Sequence, residues 1–228
     1  MKQKAARIWE LDLIRGIALV LMIYFHVVYD LKELYQYNAS YQSGINYYLG
    51  KLSGSLFIFV AGISSFLTRS NTKRALKLLA IALLITLATH LYNPAMGIKF
   101  GILHFLAVCM LTAPYAGKLR PHRLLLLGTL VIVSATYLTE IQVTHNFFFM
   151  FGLTTTSFIS SDFYPLIPWY GVFLYGLAAG KHFYREKKSL FTLSPPDNLF
   201  LMAGRRTLWV YLLHQPIILL VLSLIFRQ

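Results

Sequence analysis

An all-α, polytopic transmembrane helix bundle of about seven spans is the fold this sequence predicts, with the N-terminus cytoplasmic and the C-terminus outside. Three observations carry that expectation. The 228 residues are 57% hydrophobic and 13% charged, with a mean hydropathy of +0.60, well above an ordinary soluble domain. The charges cluster between apolar runs of about 20 residues, the length that crosses a ~30 Å hydrocarbon core. Lys and Arg fall unequally on the two faces when alternate connections are assigned to opposite sides. Packed spans replace a water-excluded core, so residues 1–228 read as one transmembrane domain.

The first span is placed near residues 11–31. Lys2, Lys4 and Arg7 precede it as they would precede a signal peptide. Asp12 and Arg15 interrupt the run and no small-residue cleavage site follows, so the span reads as uncleaved. Further spans are placed near 48–68, 75–92, 98–116, 123–140, 164–183 and 205–226, allowing for tilt. The 141–163 stretch is broken by Asn146, Gly152, a Thr/Ser run and Asp162, and reads as an interfacial or re-entrant loop. Residues 184–204, with Lys187, Lys188, Pro195, Pro196 and Asp197, read as a polar connection.

Seventeen of the 21 Lys and Arg residues fall on one side, leaving only Lys32, Lys51, Lys99 and Arg227 on the other. That bias sets the orientation. It also turns the net charge of +13 into a topology signal and argues against a nucleic-acid partner. Membrane lipids are the expected surroundings, and the sequence leaves a homo-oligomer open. Cys109 is the single cysteine, so there is no disulfide framework and no cysteine metal site.

Arg15 and His26 stand out on the first span. Eleven helical steps return to within about 20° of the start, so both point from one face, ~16 Å apart along the axis. An ionisable group inside a membrane costs roughly 2.5–3.5 kcal/mol and is a functional candidate by default. Asp30 lies one turn beyond His26, where it could orient the imidazole; it could equally be a carboxylate at the water boundary. Asp12 is three residues before Arg15, so a local ion pair is the plain alternative for that arginine. By depth, His26, His90, His104, His145 and His214 fall towards the outer side, and His122 and His182 on the cytoplasmic side.

His104 and His214 are flanked by apolar residues and would complete a polar cavity, although a core histidine bonded to a carbonyl is common. Pro216 removes the donor to the Leu212 carbonyl, which would leave a polar group beside His214. Asp162, Tyr164 and Trp169, in the stretch Asp162-Phe163-Tyr164-Pro165-Leu166-Ile167-Pro168-Trp169, could form an acceptor-side wall; interfacial aromatics explain the latter two as well. No His/Glu pairing at ligand spacing occurs on a span, so no metal is expected. Cations on one side and histidines deeper suggest a polyanionic donor such as acyl-CoA, gripped by arginine, with a histidine base.

The segment Trp9-Glu10-Leu11-Asp12-Leu13-Ile14-Arg15-Gly16-Ile17-Ala18-Leu19-Val20-Leu21-Met22-Ile23 resembles the opening of heparan-α-glucosaminide N-acetyltransferase-like proteins, especially their short bacterial relatives. Leu56 to Ser64, Gly101 to His104, Asp162 to Trp169 and Tyr211 to Pro216 extend the resemblance through most of the chain. Arg15-x10-His26 also resembles the arginine–histidine motif of the acyltransferase-3 family. The resemblance implies transfer of an acyl group, acetyl in the first instance, from cytoplasmic acetyl-CoA to a cell-envelope glycan or lipid. It carries catalytic importance onto Arg15 and His26, with Arg15 a structural or coenzyme-side group, and implies a bacterial cytoplasmic membrane. Residues 32–50 contain no histidine, so direct transfer with His26 as base is the simpler route than an acetyl-histidine. A proton-coupled transporter, with the histidines as a relay, and a catalytically silent scaffold are the alternatives.

Overall fold

The computed structural model describes residues 7–138, 140–193 and 195–226, with the side chain of Met96 excepted. Lys2, Lys4 and Arg227 of the charge count lie outside the described residues. Among the described residues eight α-helices follow one another: α1 (Trp9–Glu33), α2 (Gly44–Leu67), α3 (Asn71–Tyr92), α4 (Ile102–Ala116), α5 (Pro121–Leu138), α6 (Leu166–Phe183), α7 (Leu199–Arg205) and α8 (Thr207–Phe226). Two compact units divide the chain within α2. One comprises residues 1–57 and 186–228, the other residues 58–185.

Among the described residues, five helices are long and apolar enough to cross a membrane: α1, α2, α3, α5 and α8. The structure is all-α and that of an integral membrane protein. Of the remaining predicted spans, α4 has 15 residues and α6 has 18, about 22 and 27 Å of helix. The 141–163 stretch carries a single 3-10 turn, Phe149–Phe151.

Helix ends depart from the predicted spans for local reasons. α4 starts at Ile102 rather than 98, because Pro94–Met96 form a 3-10 turn in which the Asn93 side chain accepts from the Ala95 N–H at 3.0 Å. Regular helix in α6 is delayed beyond Ile167, whose φ/ψ of −103° and 122° are extended, the conformation imposed on a residue before proline. The expected polar connection over 184–204 is corrected at its end. Residues 199–205 are helical, started by Asn198, whose Oδ1 accepts from the Leu201 N–H at 3.0 Å. An asparagine N-cap before an apolar triplet was a readable signal.

In the first unit, α7 and α8 pack on α1. The α1–α7 contact is close because it is made at glycines. A Cβ on Gly16 would overlap the Phe200 backbone carbonyl, and one on Gly204 would overlap that of Asp12. Small residues permit such backbone approach where no hydrophobic force separates helix from lipid. Ser53 in the first half of α2 adds a buried bond to the Ala18 carbonyl at 2.9 Å. Gly204→Ala is expected to lower stability by about 1–3 kcal/mol through overpacking. Thermal unfolding in detergent checks this, and a transition matching the unaltered chain would count against the close approach.

In the second unit, α3 pairs with α4, and α5 with α6. Gly128 of α5 and Gly171 of α6 each meet the other's carbonyl, while Gly176 of α6 faces the Phe59 carbonyl of α2. Leu124, Leu174, Leu177 and Ala178 form a buried cluster between α5 and α6.

Candidate functional site

His26 of α1 and His214 of α8 meet edge to face, with ring centroids 4.8 Å apart. His214 is buried, and His26 is half-buried beside Phe25. The polar contacts define the His214 tautomer. Its Nδ1 lies 2.5 Å from the Tyr211 carbonyl oxygen. A carbonyl only accepts, so Nδ1 carries the proton and donates. In the neutral ring Nε2 then holds a lone pair, and this buried atom has no hydrogen-bond partner among the described residues. The carbonyl bonded to His214 is that of Tyr211, one residue before the Leu212 carbonyl whose helical donor Pro216 removes. α8 continues through Pro216 without interruption.

Asp30, one turn beyond His26 on α1, is 2% exposed. Its hydrogen-bond partner is Gln215 of α8, whose Nε2 donates to Oδ1 at 3.0 Å and Oδ2 at 2.8 Å. The orienting bond from Asp30 to His26 that helical spacing suggested is thus replaced by a bond between helices. The Gln215 Oε1 atom is buried and has no hydrogen-bond partner among the described residues. Sequence reading passed over Gln215 as a functional residue. Its polar side chain beside His214 in an apolar span was the signal available.

Arg15 donates from Nη1 to Asp12 Oδ1 at 2.7 Å, the local pair that their spacing allows. Asp12 is also bonded by Arg7 Nε at 2.5 Å and approached by Arg205 Nε at 4.0 Å. Arg205 in turn forks onto Asp197, with Nη1 and Nη2 at 2.8 and 2.5 Å. That bidentate bond pulls the exposed Asp197 carboxyl below the usual carboxylate range. Glu10 receives the Ser189 hydroxyl and the Leu190 N–H, both at 2.8 Å. Carboxylates on the first turns of α1 therefore organise the segment leading into α7, and they suit the positive end of the helix dipole.

His104, Asp162, Tyr164 and Trp169 belong to the second unit. His104 is buried on α4, with Nε2 at 3.2 Å from Thr86 Oγ1 of α3. The Thr86 hydroxyl proton goes to the Ile98 carbonyl at 2.7 Å, so the His104 Nε2–H is the donor to Thr86. This ring is a satisfied crosslink between α3 and α4. Asp162 Oδ2 accepts from the Ile102 N–H at 2.9 Å, a first-turn donor with no intrahelical acceptor. A Cβ on Gly101 would overlap that carboxyl group. Tyr164 N–H donates to the Phe100 carbonyl at 2.9 Å, and the Lys99 N–H donates to Ser160 Oγ at 3.0 Å. The Tyr164 and Trp169 rings lie 5.0 Å apart.

Residues 160–164 thus tie down the start of α4, 60 residues earlier in the chain. Asp162→Ala is expected to cost about 0.5–2 kcal/mol as a lost helix cap. Faster amide exchange confined to the first turn of α4 would report it; unchanged exchange there would exclude the capping role. Among the described residues, no three His, Cys, Asp or Glu side chains gather in a metal-binding group.

The structure therefore brings His214 of α8 to His26 in the first unit, with Asp30 one turn along α1, the helix that also carries Arg15. Within the second unit it places Asp162 at the N-terminus of α4, the helix that carries His104. A family model described as heparan-alpha-glucosaminide N-acetyltransferase, catalytic, matches residues 7–216. No curated protein and no solved structure matches the chain.

Proposed function

The chain belongs to the heparan-α-glucosaminide N-acetyltransferase catalytic family, and on that premise we propose that it is a membrane acetyltransferase. It takes acetyl from acetyl-CoA on the cytoplasmic side and passes it to an amine or hydroxyl of an envelope glycan or lipid. The observation that carries this reading is the contact between His26 and His214, on helices from opposite ends of the chain, with one buried nitrogen left bare.

The transfer is direct. The acceptor amine or hydroxyl attacks the thioester carbonyl and forms the new C–N or C–O bond. His26 takes the acceptor proton, and His214, with Nδ1 fixed on Tyr211, shares it through the bare Nε2. The C–S bond breaks, and the proton goes to the departing sulfur to give free CoA. A positioned imidazole can serve both halves of this exchange, as base towards the acceptor and as acid towards the leaving sulfur. Of the two roles open to Arg15, the Asp12 ion pair supports the structural one. The chain crosses a bacterial cytoplasmic membrane seven times in this reading, with α4 and α6 as short crossings and the arginine-rich end of α1 in the cytoplasm.

The test uses the full chain purified in detergent with acetyl-CoA and methyl α-glucosaminide. One CoA thiol should appear for each N-acetyl sugar formed. Proton-coupled flux in proteoliposomes without any thiol release would instead support a transporter.

A further inference from the structure

We infer that Gln215 is a positioning residue that sets the rotation of α8 against α1 and so holds His214 against His26. This deepens the proposed function and rests on it for the kinetic part of its test. Two successive residues of α8 engage two residues of α1 that are one turn apart. His214 meets the His26 ring at 4.8 Å, and the Gln215 amide bridges both oxygens of Asp30 at 3.0 and 2.8 Å. Successive residues point about 100° apart around a helix, whereas i and i+4 share a face. A ring contact is weakly directional and tolerates small rotations of α8; a second, directional contact beside it restricts them at this level of the helix.

The chemistry of the second contact suits this purpose. Asp30 is 2% exposed, so its carboxylate needs a donor from protein. Gln215 supplies that donor from a neutral group, and a two-point bond to both oxygens has one favoured orientation. A cation at 215 would satisfy Asp30 equally well but would place a fixed positive charge beside His214 and disfavour its taking a proton. An apolar residue would leave Asp30 buried without its donor. Glutamine therefore anchors the helix while leaving the histidine pair free to change protonation state.

The experiment compares Gln215→Ala and Gln215→Asn with the unaltered full chain. Alanine removes the amide, and asparagine keeps it but shortens its reach by one methylene. Each histidine in ¹⁵N-labelled protein is assigned by removing the two rings singly. The expected result is a shift of both the His26 and His214 ring signals in either Gln215 variant. On the kinetic side, kcat should fall by about 10²-fold, as a small misplacement of reacting groups produces. The KM for acetyl-CoA should stay within about twofold, because donor binding is untouched. A residue that only adds stability would lower the unfolding temperature and leave ring signals and kcat alone, and that result overturns the inference. If Gln215→Ala does not fold, Gln215→Asn decides by the same signals. Failure of the unaltered chain to transfer acetyl to methyl α-glucosaminide would sink the function above. The ring signals need no turnover and would then decide the clamp by themselves.

Discussion

Replacing His26 or His214 with alanine is expected to lower acetyl transfer by about 10²–10⁴-fold, the contribution of one positioned acid–base group. The loss should fall on kcat with little change in the KM for acetyl-CoA. In the proposed mechanism both rings move a proton and neither grips the donor. The two single losses should not add. The rings touch, and groups acting as a unit are largely lost when either is removed. The double variant should therefore be about as slow as the slower single one. Both variants should remain folded, since each keeps its helix intact. His214→Ala also removes the bond from Nδ1 to the Tyr211 carbonyl, but that carbonyl sits within a continuous helix. Liberated CoA thiol measures turnover directly. Near-normal rates in either variant would remove the histidine pair from the mechanism.

The second large effect is on stability. Asp12→Ala is expected to destabilise the protein by about 3 kcal/mol, the lower end of the cost of breaking a buried ion pair. Asp12 is 2% exposed and gathers Arg7, Arg15 and Arg205 around one carboxylate. Its loss removes the carboxylate shared by Arg7 and Arg15, while Arg205 keeps its bond to Asp197. The figure stays at the lower end because Arg7 is mostly exposed and can return to water. Asp12→Asn keeps an acceptor for Arg15 and should lose less. Thermal unfolding in detergent distinguishes the two variants. Equal transitions for Asp12→Ala and the unaltered chain would mean that the cluster contributes nothing to holding α7 on α1.

Part of this architecture was readable locally. The spacing of Asp12 and Arg15 predicts their bond, because residues three apart share a helix face, and the bond is present. The same geometry suggested that Asp30 serves His26, and there it misled. A turn's separation places the two groups within reach, but a buried carboxylate bonds the donor that packing delivers, and α8 delivers Gln215. Asp162 shows the same limit. Its stretch is conspicuous in the sequence, yet nothing local reveals that its carboxylate meets the Ile102 N–H. The short helix α7 is a different case. Asn198 signalled it, but the surrounding Pro and Lys residues outweighed that signal in a reading based on composition.

The sequence by itself determined the long apolar helices, the family, and the common face of Arg15 and His26, because each rests on composition, motif or the 3.6-residue period. Only the tertiary structure decided that His26 meets His214, that Asp30 belongs to Gln215, and that Arg205 joins the Asp12 cluster. These contacts bridge α1 to the last 30 residues of the chain. They depend on how closely two helices approach, which at α1 and α7 is set by Gly16 and Gly204. Helical periodicity fixes where a side chain points, and packing fixes what it finds there.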